Sequence, residues 1–223
     1  MTDALFVGGT FCSNQQWYGV GGCGRVARDR DATETSPGPG SSASAGAGMD
    51  AAGLNRLPRE QFVEILGDVF EHCRWIAERV YDARPFRSVE ELHAAMVHVV
   101  NTATRAEQLA LLRGHPELAG REAQEGVMTP ASTSEQGRLG FDAVPRDELE
   151  RMTRLNRAYR EKFGFPCIIA LRGHRSRDTV VAEHERRLGN DPETEMGAAL
   201  AQVFLITRGR LDTLWAAPQV GRG

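Results

Sequence analysis

The sequence lacks the features that would mark it for nucleic acid, lipid or export. Its 223 residues carry a formal net charge of −3, so there is no overall basic field to attract phosphate backbones or anionic membranes. No apolar run approaches the roughly 20 residues that cross a bilayer. The apolar stretch Ala4–Val7 is too short for a secretory signal and has no cationic flank. We therefore expect a cytoplasmic protein that binds neither nucleic acid nor membrane.

Paired cysteines and the common catalytic signatures are also missing. The four cysteines, Cys12, Cys23, Cys73 and Cys167, show no CxxC spacing, which argues against a zinc knuckle or a disulfide framework and predicts reduced thiols. No HExxH motif, GxSxG elbow or P-loop occurs, which argues against the familiar zinc-protease, hydrolase and kinase chemistries. We expect no metal site.

Composition divides the chain into a tail and one domain. Residues 1–50 are rich in glycine, serine and alanine and poor in periodic apolar residues, which predicts a disordered tail. Met49 precedes the first periodic segment and is an alternative initiator. With 41% apolar residues overall, the remainder can bury an ordinary core. We expect one domain over residues 51–215 and a flexible C-terminus over 216–223.

Helical periodicity dominates the first half of this domain. From Leu57 onward, apolar residues recur at the spacing of one face of a helix: Phe62, Ile65, Leu66, Val69 and Phe70. A shorter helix is predicted over Trp75–Tyr81. Two sequences with the form of a capping box, Ser88 to Glu91 and Thr104 to Glu107, then predict two further helix starts.

The second half continues the helical pattern. Pro145 opens a predicted helix that Gly164 ends, and further helices are predicted over 178–188 and 193–211. The segment Pro166–Leu171 has the composition of a strand, but no second strand is available to pair with it. We therefore expect an extended buried segment there and an all-α, single-domain, multi-helix fold.

His115 is the most promising candidate for acid–base chemistry. It follows Gly114, a residue typical of a helix end, and precedes Pro116, which prevents the helix from continuing. A loop histidine with an ordinary pKa near 6.5 can hold or release a proton at neutral pH. The other five histidines lie within predicted helices or a polar turn, where a structural role is the ordinary interpretation.

Glu135 and Arg187 each allow two interpretations from local sequence. Ser132 and Glu135 have the spacing of a capping box, in which the carboxylate only caps a helix. The same helix N-terminus could instead bind an anionic ligand oxygen. Arg187 lies four residues after Glu183, which is typical of an exposed ion pair, and the adjacent Arg186 leaves open which arginine would face a site.

Five motifs in one order give the local signals a common context. They are Arg84-Pro85-Phe86, His115-Pro116-Glu117-Leu118-Ala119, Ser132-x-x-Glu135-Gln136, Asn156-x-x-Tyr159-x-x-Lys162-Phe163-Gly164-Phe165-Pro166 and Arg187-Leu188-x-Asn190. From about Leu54 to Leu211 the chain resembles 2-oxo-4-hydroxy-4-carboxy-5-ureidoimidazoline (OHCU) decarboxylases. Each motif is weak alone, whereas five in register are specific.

The resemblance implies a mostly helical, commonly dimeric and cofactor-free enzyme. Such an enzyme converts OHCU to (S)-allantoin and carbon dioxide, the last step of urate oxidation to allantoin. By motif match, His115 and Glu135 would form the acid–base pair and Arg187 would anchor the substrate. The remaining expected substrate contacts are Pro116, Ser132, Gln136, Phe165, Ile168 and Ile169.

Three positions depart from the family pattern. Glu117 stands where aspartate is usual, Phe141 where leucine is usual, and Cys167 where phenylalanine is common. Cys167 would leave the pocket wall smaller. Two alternatives stay open at this point: a non-catalytic helical interaction module, and a lyase that acts on a related ureido acid.

Overall fold

The computed structural model describes residues 50–216, in which all regular structure is helical. The ten α-helices of this range are α1 (Ala51–Arg56), α2 (Arg59–Leu66), α3 (Arg74–Val80), α4 (Val89–Asn101), α5 (Arg105–Arg113), α6 (Arg121–Glu125), α7 (Pro130–Gly137), α8 (Arg146–Phe163), α9 (Arg177–Arg187) and α10 (Pro192–Ala216). Short 3-10 turns occupy Tyr81–Ala83 and Leu171–Gly173. The expected all-α fold class is confirmed for this range, which contains no strand.

Local sequence signals set most helix ends. The Ser88 hydroxyl accepts from the Glu91 amide at the start of α4, and Thr104 and Glu107 form a complete capping box on α5. At the far end of α8, Gly164 has φ of +77°, a left-handed conformation that glycine adopts without a Cβ penalty. The predicted starts of α4 and α5 and the predicted end of α8 are therefore confirmed.

Helix α10 is the longest element and packs against α4, α5 and α8. At 25 residues it extends about 37 Å. Its buried side includes apolar residues such as Met196, Leu200 and Val203. The same side also carries three buried polar residues, Glu195, Thr207 and Arg210. A charged residue on the buried side of a helix requires a buried partner.

The predicted helix from Leu57 was wrong in extent. Helix α2 ends at Leu66, and residues 67–72 form turns in which Glu71 and His72 have φ of +22° and +57°. Val69 and Phe70 are buried as the periodicity suggested, but from a turn. These positive φ values direct the chain so that the Glu71 side chain is buried while His72 is exposed.

The segment 166–170 is extended and buried, as the sequence predicted. Its backbone polar groups bond to side chains on neighbouring helices. The Ala170 amide donates to Gln202 Oε1 at 2.8 Å, and the Ile168 carbonyl accepts from Arg187. Side chains thus satisfy backbone groups that a partner strand would otherwise bind.

Two sequence predictions fall outside the described range. The disordered tail predicted over residues 1–50, with its alternative initiator Met49, lies outside this range except for Asp50. The flexible C-terminus lies almost wholly within 217–223. Both stay predictions.

Candidate active site

A narrow cleft lies between the loop after α5, helix α7, the segment 166–170 and helix α10. Its polar lining comprises His115, Ser132, Glu135, Gln136 and Arg210. Its apolar lining includes Pro116, Cys167, Ile168, Ile169, Leu171 and Ile206. Most of the predicted site residues are thus brought together from three separate segments of the chain.

His115 presents an unprotonated ring nitrogen to this cleft. Its Nδ1 lies 3.0 Å from the Leu111 carbonyl oxygen, which can only accept, so Nδ1 carries the proton. Burial lowers the pKa of His115 from 6.5 to about 4, which keeps the ring neutral near pH 7. Nε2 is buried and has no hydrogen-bond partner among the described residues. A buried lone pair of this kind is available to accept a proton from a ligand.

Arg210 is the cation of the cleft, and its five N–H groups are all engaged. Nε and Nη2 donate to the two oxygens of Glu135 at 3.0 and 2.9 Å, and Nη2 also donates to the Ser132 hydroxyl at 3.0 Å. Nη1 donates to Glu71 at 2.7 Å and to the Val69 carbonyl at 3.4 Å. One buried guanidinium therefore lies between two carboxylates.

The two carboxylates differ in exposure. The Glu71 side chain is 1% exposed, and it accepts hydrogen bonds from Thr129, Ser132 and Arg210. These donors and the Arg210 charge outweigh burial and hold the pKa of Glu71 below its usual value. The Glu135 side chain is 34% exposed. Glu135 is thus the partner that can leave Arg210 at lower cost.

The predicted capping box at Ser132 and Glu135 was wrong. The N-cap of α7 is Thr129, whose hydroxyl accepts from the Ser132 amide, so Ser132 lies inside the first turn. The carboxylate of Glu135 bonds to Arg210 instead of to a helix-end amide. Pro130, which suits the first position of a helix, was the local signal for the true start.

Gln136 connects α7 to the loop that follows His115. Its Oε1 accepts from the Ala119 amide at 3.0 Å, and its Nε2 donates to the Glu117 carbonyl at 3.1 Å. Ala119 has φ of +49°, a conformation that needs support from its surroundings in a residue other than glycine. Gln136 therefore fixes the loop geometry in addition to lining the cleft.

Arg187 and Phe165 lie outside the cleft lining. The Arg187 side chain is 1% exposed and forms a buried ion pair with Glu195, and its Nη1 donates to the Ile168 carbonyl. Tyr159 and Asn190 bond to the same Glu195 carboxylate. Phe165 packs against Tyr159 and Phe163. The substrate-anchoring role expected of Arg187 stays a prediction, and the geometry favours Arg210 for it.

Glu71 and Arg210 were not identified from the sequence. Arg210 lies seven residues after Val203 on the buried side of α10, and a charge at that spacing was a usable signal. Glu71 gave no such signal because it directly follows the apolar pattern that runs from Phe62 to Phe70. The neutral His115 is oriented by the Leu111 carbonyl at the end of α5.

A wider groove adjoins the cleft. It has a volume of about 770 Å³ and shares Glu135, Leu171, Ile206 and Arg210 with the cleft lining. Over residues 50–216, no group of three or more metal-binding side chains clusters together. Among the helices of that range, none combines the length and apolar character needed to cross a membrane.

Comparisons with known proteins agree with this geometry. The family profile described as OHCU decarboxylase matches residues 55–212. An OHCU decarboxylase of Haloferax volcanii is 42% identical over 158 residues, covering 71% of this chain and 91% of that protein. One from Mus musculus is 38% identical over 169 residues, covering 76% and 94%.

A solved structure gives the same result. The crystal structure of an (S)-allantoin synthase matches with a TM-score of 0.60 and 29% identity, covering 74% of this chain. This chain spans about half (54%) of the length of that one. The sequence profile, the curated relatives and the fold agree, and the chain belongs to the OHCU decarboxylase family.

Proposed function

We propose that this protein removes the carboxylate of OHCU to give (S)-allantoin and carbon dioxide, and that the reaction occurs in the cleft of His115, Glu135 and Arg210. The observation that carries the assignment of the site is the neutral, buried His115 with an unpartnered Nε2. It lines one cleft with the Arg210 guanidinium and the Glu135 carboxylate. An interaction module would have no use for such an arrangement.

The chemistry of the substrate defines what the residues must do. In OHCU one ring carbon carries the hydroxyl and the carboxylate, and the neighbouring ring carbon carries the ureido group and a double bond to nitrogen. When carbon dioxide leaves, its bonding electron pair forms a carbon–carbon double bond, and the former C=N pair moves to nitrogen, which takes a proton. The hydroxyl then loses its proton to become a carbonyl, and the ureido-bearing carbon gains one. The net change is uptake of one proton per carboxylate lost.

His115 Nε2 is the acceptor for the hydroxyl proton. The Leu111 carbonyl fixes the tautomer, so Nε2 has its lone pair available without a prior proton transfer. The hydroxyl-bearing and ureido-bearing carbons are bonded neighbours, so a group on one face of the ring can serve both. Protonation from that single face gives one enantiomer, the (S) product.

Arg210 orients the substrate carboxylate once that carboxylate has replaced Glu135 as its hydrogen-bond partner. The cleft has a free volume of about 30 Å³, which is room for roughly one water molecule. A ureide can bind only if a lining side chain moves, and the partly exposed Glu135 borders the wider groove. When Glu135 moves away, the Nε and Nη2 edge of Arg210 is free to bind a carboxylate with two hydrogen bonds. Glu135, no longer paired with Arg210, then faces the substrate ring as the second acid–base group.

The assignment is tested with OHCU made transiently from urate by urate oxidase and the hydrolase that follows it. Addition of this protein should speed the ultraviolet decay of OHCU and give optically active (S)-allantoin. A decay rate equal to the uncatalysed one, with racemic product, would refute the assignment. Comparison with other ureido acids tests the alternative of a related substrate.

Two further expectations from the sequence stay predictions. A homodimer should sediment at about twice the mass of the 24.5 kDa chain. A cytoplasmic location is tested by cell fractionation with antibody detection. Neither outcome changes the assignment of the cleft.

A further inference from the structure

We infer that Glu71 is the permanent counter-ion of Arg210, and that it prevents the guanidinium from stabilising the bound carboxylate more than the transition state. This role goes beyond the proposed function and rests on it, because it concerns how Arg210 treats the carboxylate that leaves. Glu71 contacts Arg210 and Ser132 but does not line the cleft, so it is a positioning residue.

The contacts of Glu71 show that it is fixed in place. One oxygen accepts from the Thr129 hydroxyl at 2.8 Å, and the other accepts from the Ser132 hydroxyl at 2.9 Å and from Arg210 Nη1 at 2.7 Å. The side chain is 1% exposed. Unlike Glu135, Glu71 has no solvent-facing alternative.

The backbone at Glu71 supports a specific role. Glu71 and His72 both have positive φ, at +22° and +57°, and neither is a glycine, which would adopt this conformation without strain. Such conformations cost about 1–3 kcal/mol each and persist where the surrounding structure enforces them. Here the turn brings a carboxylate to the inner side of Arg210, opposite the edge that Glu135 occupies.

The charges of the cleft explain why a second carboxylate is useful. Arg210 contributes one positive charge, Glu71 and Glu135 contribute one negative charge each, and His115 is neutral near pH 7. In a decarboxylation the negative charge leaves the carboxylate as the bond breaks. An unopposed arginine beside that carboxylate would stabilise the ground state more than the transition state and would slow the reaction. A guanidinium already matched by Glu71 can orient the carboxylate by hydrogen bonds without holding it by net charge.

Two stable ureides test this directly. Allantoate carries a carboxylate and allantoin is neutral, so the ratio of their dissociation constants reports how the cleft treats that charge. Wild-type protein should bind allantoate no more tightly than (S)-allantoin despite the arginine. In Glu71→Gln, allantoate should bind about tenfold more tightly relative to (S)-allantoin, because one opposing charge is gone. Calorimetry at pH 7 measures both constants.

The kinetic counterpart is a fall in both KM and kcat for OHCU in Glu71→Gln. This combination indicates the loss of ground-state destabilisation, whereas a merely loosened site would raise KM. Glu71→Asp keeps the charge and should keep the wild-type ratio of the two ligands. Thr129→Val removes one hydrogen bond to Glu71 and the N-cap hydroxyl of α7 but leaves the charge of Glu71, and it should also keep that ratio. Val100→Ala, a core change in α4, is the control for lost stability.

The outcomes separate the two proposals. If wild-type protein does not accelerate OHCU decay, the proposed function fails, while the ligand ratio still tests Glu71. If the protein is active but Glu71→Gln leaves the ratio unchanged or favours (S)-allantoin, the role of Glu71 is refuted. If Glu71→Gln does not fold, the wild-type ratio decides, because tighter binding of allantoate than of (S)-allantoin would show an unopposed arginine.

Discussion

His115 shows how the surroundings of a side chain set its protonation state. Its sequence context predicted only a loop histidine past a helix end. The structure adds the carbonyl of Leu111, which fixes the proton on Nδ1, and the burial that lowers the pKa to about 4. Together these make Nε2 a base that is unprotonated at neutral pH.

Replacement of His115 should affect chemistry more than binding. We expect His115→Gln to lower kcat at least about 100-fold, because general-base catalysis contributes that much or more. The affinity for (S)-allantoin, measured by calorimetry, should change only a few-fold. His98→Gln, on the exposed side of α4, serves as the control and should keep wild-type kcat. A His115→Gln variant with most of the wild-type kcat would contradict the proposed base.

The acid limb of the pH profile provides a second test. His115 must be unprotonated to act, and its folded-state pKa is lowered to about 4 by burial. We therefore expect kcat/KM to fall as the pH drops through about 4, not through 6.5. Initial rates in short assays, with folding checked by circular dichroism, measure this limb. A midpoint near 6.5 would show that the histidine that titrates is not buried as described.

At the scale of elements, the Arg187 and Glu195 pair joins α9 and α10 to the wall of the cleft. Arg187 also donates to the Ile168 carbonyl, and Tyr159 of α8 bonds to Glu195. Three residues of the family motifs, Arg187, Tyr159 and Asn190, thus meet at Glu195 in one network behind the site. Through the bond from Arg187 to the Ile168 carbonyl, this network supports the segment 166–170.

Because Arg187 and Glu195 form a buried ion pair, replacing one of them should cost more stability than replacing both. We expect Arg187→Met to cost about 3–5 kcal/mol, because Glu195 would remain buried and uncompensated. The double variant Arg187→Met with Glu195→Met should recover most of that loss in urea denaturation. Arg186→Met, at the exposed neighbouring position, should change stability little. A stable double variant with a tenfold higher KM would restore Arg187 as a substrate anchor.

Helix caps contribute less to the free energy of unfolding than the buried ion pair does. Thr104→Ala should lower the free energy of unfolding by about 1 kcal/mol, because the capping box of α5 is lost. The activity should not change, since α5 is capped at the end opposite His115. Thr153→Ala is the matched control, because its hydroxyl bonds within α8 to the Leu149 carbonyl and caps nothing. Equal stabilities of the two variants would argue against the cap.

For the whole molecule, buried histidines couple folding to pH. Burial lowers the pKa of both His115 and His184 from 6.5 to about 4. The unfolded state therefore binds more protons between pH 6.5 and 4, and stability is lost as the pH falls through that window. His184 is fully buried against Tyr159, with no partner for either ring nitrogen among the described residues.

Replacement of His184 should reduce this acid sensitivity. We expect His184→Phe to lose roughly 2–3 kcal/mol less than wild type between pH 7 and 4.5, because a neutral ring has no proton to bind. Urea denaturation at the two pH values measures the difference. Identical losses in the two proteins would mean that His184 is not buried in its neutral form.

The sequence predicted the helices best where short-range chemistry sets their ends. Capping residues at Ser88 and Thr104 and the glycine at 164 act within one turn, so they can be identified from neighbouring letters alone. The prediction failed at residues 67–72 and at Ser132. In the first case a turn with positive φ continues an apolar pattern, and in the second Thr129 competes successfully for the cap.

The candidate site also has a part that the sequence predicted and a part that only the structure showed. The family motifs identified His115, Glu135, Ser132 and Gln136, all of which line the cleft. They also suggested Arg187, whose guanidinium pairs with Glu195 and lies buried behind the segment 166–170. The sequence shows that residue 187 carries a positive charge. Which carboxylate pairs with that charge depends on how the helices pack.

The sequence by itself determined the helical fold class, the family and the histidine at the helix end, because periodicity, caps and motif order are local or linear properties. Only the tertiary structure decided which cation faces the cleft, which tautomer His115 adopts, and that Glu71 lies opposite Glu135. Those properties depend on contacts between residues as far apart as 71 and 210, and on burial, which a linear pattern does not specify.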